Sequence, residues 1–259
     1  MVEKMIDKQL MQKRFSERAT TYDRFANVQK KMAHALMKRI VHPPQTILEI
    51  GCGTGYLTKL LHDAYPKAEL TAVDIAPGMI EKAKQRLGDA PITWLCADIE
   101  EAELYEMYDL IISNATFQWL TAPKQTIAKL AKQRNERGQL LFSTFGDRTF
   151  HELHTSFAYA LAIQQIDEPL RIGPSFPTFS EWLAMHDQAR GHEQFEVEYF
   201  PSVRDFFLSL RHIGATNSTS GRYCQRPSVF KAMMHEYEQR FSEQGLIRAT
   251  YHCIFIDIT

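Results

Sequence analysis

The sequence predicts an α/β protein built on a doubly wound, mostly parallel sheet of seven strands. Between residues 46 and 145, short apolar segments alternate with amphipathic helical segments, which is the order of elements typical of parallel sheets. Each short segment is apolar at nearly every position, as expected of strands that are covered on both faces. A helical segment precedes this core, and a less regular segment follows it.

Each element of the core follows from the local sequence. The first 42 residues are expected to be helical, and Pro43-Pro44 ends this segment because a residue before proline disfavours the helical conformation. The predicted strands are 46–50, 68–75, 92–99, 108–115 and 139–145. The predicted helices are 56–65, 78–87 and 123–136, and Gly138 is expected to stop the last of them.

The segment after residue 145 has a looser pattern. Its predicted helices are 147–165, 178–190, 203–213 and 228–241, and its predicted strands are 193–200 and 249–259. No internal repeat or low-complexity tract divides the chain, so we expect a single domain of residues 1–259.

Composition and charge narrow the possible functions. A net charge of −1 gives no overall bias toward nucleic acid or membranes, and no apolar run approaches the roughly 20 residues that a membrane span needs. The four cysteines are scattered without metal-site spacing, which favours reduced thiols and a cytoplasmic protein. Charge is uneven, however: residues 1–45 hold ten Lys or Arg against four Asp or Glu, a local net charge of +6.

A glycine-rich turn joins the first strand to the first helix of the core. In TILEIGCGTGYLTKLL (46–61), Gly51, Gly53 and Gly55 can bring bare backbone close to a ligand at a helix N-terminus. Two classes of protein use such a turn: dinucleotide-binding enzymes with G-x-G-x-x-G, and methyltransferases with E/D-x-G-x-G-x-G. Tyr56 occupies the position of the third dinucleotide glycine, which favours the second class.

Two acidic residues follow later strands at positions that suit a nucleoside. Asp74 ends the second strand, about 20 residues beyond the glycines, where its carboxylate can accept both ribose hydroxyls in either class of protein. Asp98 discriminates between the classes, because an acid beside the apolar Ile99 suits the exocyclic amine and the face of adenine. Each acid could instead be a helix N-cap.

Further side chains complete the cofactor pattern. SNATFQWL follows the fourth strand, where a methyltransferase places polar and aromatic groups near the reactive methyl. Glu49 lies in an otherwise buried strand, and a charge there needs a partner, which we expect to be the cofactor's amino-acid moiety or its loop. Met79 is expected both to pack and to touch adenine, and Trp119 belongs either to the core or to the site wall. The residues expected to bind the cofactor are Glu49, Gly51, Gly53, Gly55, Asp74, Ile75, Met79, Asp98, Ile99, Asn114, Gln118 and Trp119.

In this order and spacing, the features resemble the class I S-adenosylmethionine-dependent methyltransferases. The resemblance implies a Rossmann-like sheet and S-adenosyl-L-methionine as cofactor, and no metal is expected. The domain is then expected to comprise a helical cap (1–45), a cofactor-binding core (46–145), a helical insertion (146–192) and final strands with a substrate-side loop (193–259).

A closer resemblance extends over nearly the whole chain. The segments LMQKRFSERATTYDRFANVQKKMA, ISNATFQWL, LLFSTFGDRTFHELH, LRHIGATNS and YCQRPSVF resemble the malonyl-acyl-carrier-protein O-methyltransferases of early biotin synthesis. The resemblance implies methyl transfer to the free carboxylate of a malonyl thioester carried on acyl carrier protein. Such a carboxylate is already ionised at pH 7, so the enzyme has to orient and desolvate it rather than deprotonate it.

A cationic or hydroxyl donor is then expected to hold the malonyl carboxylate. The candidates are Tyr22, Arg148, His151, Arg211, His212 and Arg222, of which we favour Tyr22, Arg211 and Arg148. Arg148 and His151 could instead be solvated residues at a helix start. Arg211 and His212 could simply complement a helix dipole.

The basic segment 1–45 suggests a docking face for the acidic carrier protein, although a solvated amphipathic helix would look the same. Two other functions stay open. A methyltransferase for a free small-molecule carboxylate, another metabolite or nucleic acid is the first, although the sequence shows no aromatic-interleaved basic stripe. A non-catalytic methyltransferase-fold subunit is the second, and the intact glycine loop argues against it.

Overall fold

The computed structural model describes residues 6–167, 170, 172–173, 175–213 and 226–259. The strands are β1 (Thr46–Ile50), β2 (Glu69–Asp74), β3 (Ile92–Cys96), β4 (Tyr108–Asn114), β5 (Arg134–Phe145), β6 (Arg190–Phe200), β7 (Ser242–Glu243) and β8 (Leu246–Ile258). The helices are α1 (Lys8–Arg18), α2 (Tyr22–Phe25), α3 (Asn27–Met37), α4 (Tyr56–Ala64), α5 (Pro77–Leu87), α6 (Pro123–Lys132), α7 (His151–Ile163), α8 (Phe179–Leu183), α9 (Val203–His212) and α10 (Pro227–Arg240), with one 3-10 turn at Phe117–Trp119.

The strands form one sheet in the order β3-β2-β1-β4-β5-β8-β6. The pairs β3-β2, β2-β1, β1-β4 and β4-β5 are parallel, whereas β8 runs antiparallel to both β5 and β6. The two-residue β7 pairs with β8 and adds an eighth strand to the seven that the sequence predicts. The predicted fold class, a doubly wound and mostly parallel α/β sheet, is confirmed.

Apolar side chains cover both faces of this sheet. Consecutive residues of β1 point in opposite directions, so that Ile47 joins one buried cluster with helices α3, α4, α7, α9 and α10. Leu48 joins a second cluster with α6 and α8. This arrangement explains why the central strands read as continuous apolar segments.

The N-terminal helices are part of the core. Val28, Met32 and Leu36 of α3 are fully buried against the sheet at a spacing of four residues, which is the periodicity of a helix that presents one apolar face. Truncating such a Met or Leu to Ala typically costs about 2–5 kcal/mol of folding free energy. The cap is therefore held to the core by burial of apolar surface.

Some predicted boundaries were wrong. The strand β5 begins at Arg134, inside the predicted helix 123–136, because α6 already ends at Lys132. Gly138 lies within β5 and does not stop a helix: a Cβ there would lie 2.6 Å from the backbone oxygen of Tyr108, next to an irregularity in the β4-β5 register. Similarly, β3 ends at Cys96, so Asp98 and Ile99 lie in the loop that follows the strand.

Helices were also shorter or more broken than predicted. The segment predicted as one helical stretch forms three helices, α1 to α3, which are separated at residues 19–21 and at Ala26. The predicted helix 178–190 is reduced to α8, which begins with a capping box in which Thr178 and Glu181 bond reciprocally. Among the described residues, no helix combines the length and the apolar character needed to cross a membrane.

Candidate active site

A cavity opens at the carboxyl ends of β1, β2 and β4, with an empty volume of about 1140 Å³ that includes its mouth. Chain connections diverge on either side of β1, which pairs with β2 on one side and β4 on the other. Ligands of doubly wound sheets bind at such a switch point. The cavity is lined mainly by apolar and aromatic side chains with a small number of polar groups, which is the composition typical of small-molecule sites.

The glycine loop forms the floor of the cavity beside β1. Gly51, Gly53 and Gly55 have φ angles of 68°, 54° and 79°, a region that side-chain-bearing residues rarely occupy. A Cβ on Gly51 would collide with Thr116, and one on Gly55 would press on Ala83 at 3.0 Å. Gly53 differs, because its Cβ position faces open space at the cavity. Gly53 therefore keeps the loop surface free for a ligand.

Asp74 is held at the cavity wall by backbone donors. Its Oδ2 accepts from the Gly53 amide at 2.9 Å, and its Oδ1 accepts from the Ala76 amide at 2.8 Å. Burial raises the pKa of Asp74 to about 6, against the lowering effect of these two hydrogen bonds. The carboxylate is therefore fixed in orientation and keeps lone pairs for ribose hydroxyls.

Glu49 lies behind the loop and does not line the cavity. Its side chain is buried and only 1% exposed, and its Oε2 has no hydrogen-bond partner among the described residues. Burial, together with the nearby negative charge of Asp74, raises the pKa of Glu49 to about 8, against the lowering effect of Thr58. A buried carboxyl oxygen without a hydrogen-bond partner is costly, and a cation or hydrogen-bond donor of a ligand could supply the missing partner.

Asp98 meets a lysine that the sequence does not point to. Lys8 of α1 donates to Oδ2 of Asp98 and lies 2.6 Å from Oε2 of Glu100, so that one cation bridges two acids beside Ile99. The Glu100 amide donates to Oδ1 of Asp98 at 3.0 Å. Lys8, Asp98, Ile99 and Glu100 all line the cavity.

Helix α1 closes this part of the cavity from above. The Gln12 amide donates to the backbone oxygen of Ile75 at 2.7 Å, and the ring of Phe15 contacts that of Trp119 edge-on at 5.5 Å. Gly78 allows the close crossing of α1 over α5, because a Cβ there would lie 2.7 Å from the backbone oxygen of Ser16. Met79 also lines the cavity and is buried beneath α1.

Asn114 and Gln118 line the cavity, but their side chains are engaged by the protein. The Asn114 amide donates to the Gln29 backbone oxygen at 2.9 Å and accepts from the Ser143 hydroxyl at 2.7 Å. Gln118 bonds in the same way to Ala115 and Thr144. We expect these two side chains to fix the wall of the cavity, to which Trp119 contributes a half-buried aromatic ring.

Tyr22 belongs to α2 in the N-terminal cap and lies next to the residues of the cofactor half of the cavity. Its ring lines the cavity, and burial together with the negative charges of Asp74 and Asp23 raises the pKa of its hydroxyl far above the usual range. The phenol is therefore a proton donor at every physiological pH. The neighbouring Asp23 accepts from Thr54 of the glycine loop at 2.6 Å and pairs with Arg86 of α5, which fixes the position of Tyr22.

The predicted cations lie elsewhere. Arg148 pairs with Glu193 at 3.0 Å and stacks over Phe195, so it does not line the cavity. Arg211 is exposed on α9, and its neighbours Leu210 and Ile213 line the cavity in its place. Arg222 lies outside the described residues.

The two predicted histidines are also outside the cavity wall. His151 is half exposed beside Glu152, with its Nδ1 3.5 Å from Oε2 of that acid. The ring of His212 stacks on Phe25, with centroids 4.6 Å apart. Neither ring is placed to hold a substrate in the cavity.

Several cavity residues carry no sequence signal of their own. Lys8 and Phe15 look like ordinary residues of an amphipathic helix, and Thr149, Phe150 and Tyr251 come from segments that follow the core. Their roles depend on packing between parts of the chain that are far apart in sequence.

Comparison with known proteins places these features in a family. A family model described as a methyltransferase domain matches residues 47–138. The chain is 45% identical to the malonyl-acyl-carrier-protein O-methyltransferase of Priestia megaterium and 46% identical to that of Bacillus anthracis, and in both comparisons the match covers 98% of each chain.

Solved structures agree with the fold. A methyltransferase structure from Bacillus halodurans superposes with a TM-score of 0.58 at 12% identity, covering 87% of this chain and 96% of the other. A coclaurine N-methyltransferase bound to N-methylheliamine and SAH superposes with a TM-score of 0.52 at 18% identity, covering 88% and 71%. At such low identity these likenesses show the fold alone.

Proposed function

Because the chain belongs to the family of malonyl-acyl-carrier-protein O-methyltransferases, we propose that it methylates the free carboxylate of a malonyl thioester on acyl carrier protein. The methyl donor is S-adenosylmethionine, whose positively charged sulfonium carries an electrophilic methyl group. The product is a methyl ester, and the reaction belongs to an early step of biotin synthesis.

The residues present fit this cofactor. The open surface at Gly53 and the backbone-held carboxylate of Asp74 suit the ribose and the loop side of the ligand. Asp98 and Ile99 suit adenine, and the unsatisfied Oε2 of Glu49 suits the amino-acid moiety or the loop that contacts it. We propose these roles on the chemistry of each group.

The residues that line the cavity support the proposal that the nucleophile is a carboxylate. Among the described residues that line the cavity there is no histidine and no cysteine, and its acids, Asp74, Asp98 and Glu100, all belong to the cofactor half. An amine or hydroxyl nucleophile would need a base near the methyl group. A carboxylate is already ionised at neutral pH and needs only to be oriented and stripped of water.

We assign the orientation of the malonyl carboxylate to neutral donors. Tyr22 stays protonated because burial and nearby acids disfavour its phenolate, so its hydroxyl can donate to the substrate. Thr149 carries a second hydroxyl on the wall built after β5; it accepts from the His252 amide at 3.1 Å and donates to the His252 backbone oxygen at 3.4 Å, a long bond that the substrate carboxylate would have to replace. A cation would stabilise the carboxylate strongly and so make its oxygen a weaker nucleophile, whereas a neutral donor orients the same oxygen with less stabilisation.

The apolar remainder of the cavity serves the same purpose. Phe145, Phe150, Leu210 and Ile213 surround the space next to these donors and exclude water from it. Removal of water raises the reactivity of an anionic nucleophile and strengthens each hydrogen bond that orients it. The account therefore assigns positioning and desolvation to the protein, with no proton transfer at the reacting oxygen.

A methyl-transfer assay with a panel of acceptors tests this function. We expect transfer from labelled S-adenosylmethionine to malonyl-carrier protein at a higher kcat/KM than to malonyl-coenzyme A, and little transfer to free malonate. Free malonate as the best acceptor would instead support the alternative of a small-molecule carboxylate methyltransferase. Cofactor binding without transfer to any acceptor would support a non-catalytic subunit.

A further inference from the structure

We propose that the outward face of α9, together with the adjoining α1–α2 turn, is the docking surface for the carrier protein, and that Arg211 contacts the carrier and not the malonyl carboxylate. This inference rests on the proposed function. The proposed docking site is thereby narrowed from the whole basic segment 1–45 to one surface patch. We call this patch the α9 rim, and it consists of Arg18, Arg24, Arg204, Leu208 and Arg211.

Helix α9 has two different faces. Arg204, Leu208 and Arg211 follow one another at spacings of four and three residues, so they share one side of the helix, and all three are exposed. The opposite side buries Phe206 and Leu210. Leu210 also lines the cavity, so a partner seated on the outer face would lie next to the cavity.

Contacts between α9 and the N-terminal helices bring further cations to this place. The Thr21 hydroxyl lies 3.2 Å from the backbone oxygens of both Arg18 and His212, which ties the end of α1 to the end of α9. The Phe25 ring stacks on His212, and the Arg24 guanidinium lies 5.7 Å from the centre of the Phe25 ring. These contacts bring the chain at Arg18 and at Arg24 next to the end of α9, where Arg211 lies.

The charges of this rim are available to a partner. In the described part of the chain, no carboxylate lies within 4.0 Å of the guanidinium groups of Arg18, Arg24, Arg204 or Arg211. Other cations of the N-terminal segment are already engaged: Lys8 bridges Asp98 and Glu100, Lys31 pairs with Glu196 at 2.7 Å, and Arg39 packs over Phe255. Two of the ten Lys and Arg residues of the segment, Arg18 and Arg24, therefore join Arg204 and Arg211 at the rim.

The chemistry of the rim fits an acidic protein that carries its substrate on a flexible arm. The four guanidinium groups, which pair with no carboxylate of the described residues, can attract carboxylates and the phosphodiester of the arm. Arginine is the residue best suited to bind such groups bidentately. Leu208 lies between Arg204 and Arg211 and offers the apolar centre that protein interfaces combine with a polar rim. From there the arm would enter past Leu210 and Ile213, which line the cavity.

Two thioesters separate docking from catalysis. We would measure kcat/KM for malonyl-carrier protein and for malonyl-N-acetylcysteamine, a small thioester without phosphate, using Arg204→Glu and Arg211→Ala. Loss of electrostatic steering and of contact should lower kcat/KM for the carrier substrate at least about tenfold in Arg204→Glu and about fivefold in Arg211→Ala. In both variants, kcat/KM for the small thioester should change by less than about twofold. The carrier reaction of the wild type should slow steeply with added salt, and this dependence should weaken in Arg204→Glu.

A matched control removes the effect of total charge. Lys132 is exposed at the end of α6, just before β5 begins, at the edge of the sheet opposite the cavity. Lys132→Glu changes the net charge as Arg204→Glu does, and it should leave both substrates unaffected. Unchanged S-adenosylmethionine affinity in all three variants would establish that they are folded.

The outcomes exclude one another. An equal loss on both thioesters in Arg211→Ala would mean that Arg211 holds the malonyl group, which overturns the proposal. Wild-type kinetics with both thioesters in Arg204→Glu and Arg211→Ala would place the carrier elsewhere and also overturn it. A wild-type enzyme that methylates neither thioester would refute the proposed function itself, and with it the partner assigned to the rim.

Discussion

Replacing Glu49 by Gln should make the ligand-free protein more stable at alkaline pH. Glu49 is 1% exposed with an unsatisfied Oε2, and burial raises the pKa of its carboxyl from 4.5 to about 8. An acid whose pKa is raised in the folded state does not lower the free energy of unfolding when the pH is below its pKa in the unfolded chain, because it is protonated in both states. As the pH rises from 4.5 toward 8, the unfolded chain ionises first, and the folded state becomes progressively less stable.

The size of the effect follows from the two pKa values. Linkage gives a penalty of about 1.4 kcal/mol near pH 5.5 and about 4.6 kcal/mol near pH 8.5, so the wild type should lose about 3 kcal/mol between these conditions through Glu49 alone. Glu49→Gln lacks this contribution but keeps the shape of the side chain. Any loss of stability from poor hydrogen bonding of the new amide is the same at both pH values, because the amide does not titrate.

Urea unfolding of both proteins at the two pH values measures the difference. We expect the gap in unfolding free energy to shift in favour of Glu49→Gln by about 3 kcal/mol on going to the higher pH. Asp74, whose pKa is also raised, is present in both proteins, so its own titration largely cancels and only its repulsion of the Glu49 carboxylate enters the comparison. Equal pH dependence of the two unfolding free energies would refute the assignment of Glu49 as a strained buried acid. The same variant should bind S-adenosylmethionine more weakly, because the charged group is proposed to serve the ligand.

Three further changes test the cofactor half. Asp74→Ala should weaken S-adenosylmethionine binding by about 1.5–3 kcal/mol through loss of a charged acceptor, and calorimetry showing wild-type affinity in a folded variant would remove Asp74 from the site. Gly53→Ala should stay folded despite roughly 1–2 kcal/mol of strain from its positive φ, but it should lose at least about tenfold in cofactor affinity because its methyl enters the cavity. Lys8→Ala should raise the cofactor Kd about threefold to tenfold, because it leaves two acids unpaired and loosens α1. Lys13→Ala breaks only an exposed pair at 4.0 Å and should leave the Kd unchanged. Equal Kd values in these two variants would contradict the bridging role of Lys8.

The parts of the site that depend on local sequence were predictable. The glycine loop and Asp74 follow from spacing alone, because the carboxyl ends of neighbouring parallel strands meet at one edge of the sheet. The structure brings Gly51, Gly53 and Asp74 together as expected, through the bond from the Gly53 amide to Asp74. Fold class was predictable for the same reason, since it depends on the alternation of strands and helices.

Features that depend on distant contacts were not predictable. Lys8 reaches Asp98 from 90 residues away, and Arg148 is neutralised by Glu193, 45 residues further along the chain. From the sequence, Lys8 is only one cation of the basic segment and Arg148 is a candidate to hold the substrate, because nothing near either residue in the sequence reveals its partner. The bonds of Asn114 to Gln29 and Ser143 likewise became visible only when the cap and β5 were seen packed around it.

The central claim is that this chain methylates a free carboxylate on a carrier-bound acyl group. The most direct measurement incubates the protein with methyl-labelled S-adenosylmethionine and compares malonyl-carrier protein with acetyl-carrier protein, which lacks the carboxylate. The account predicts label on the malonyl form alone, released as methanol by mild base as expected of a methyl ester. Label on both forms, or label that resists mild base, would contradict it.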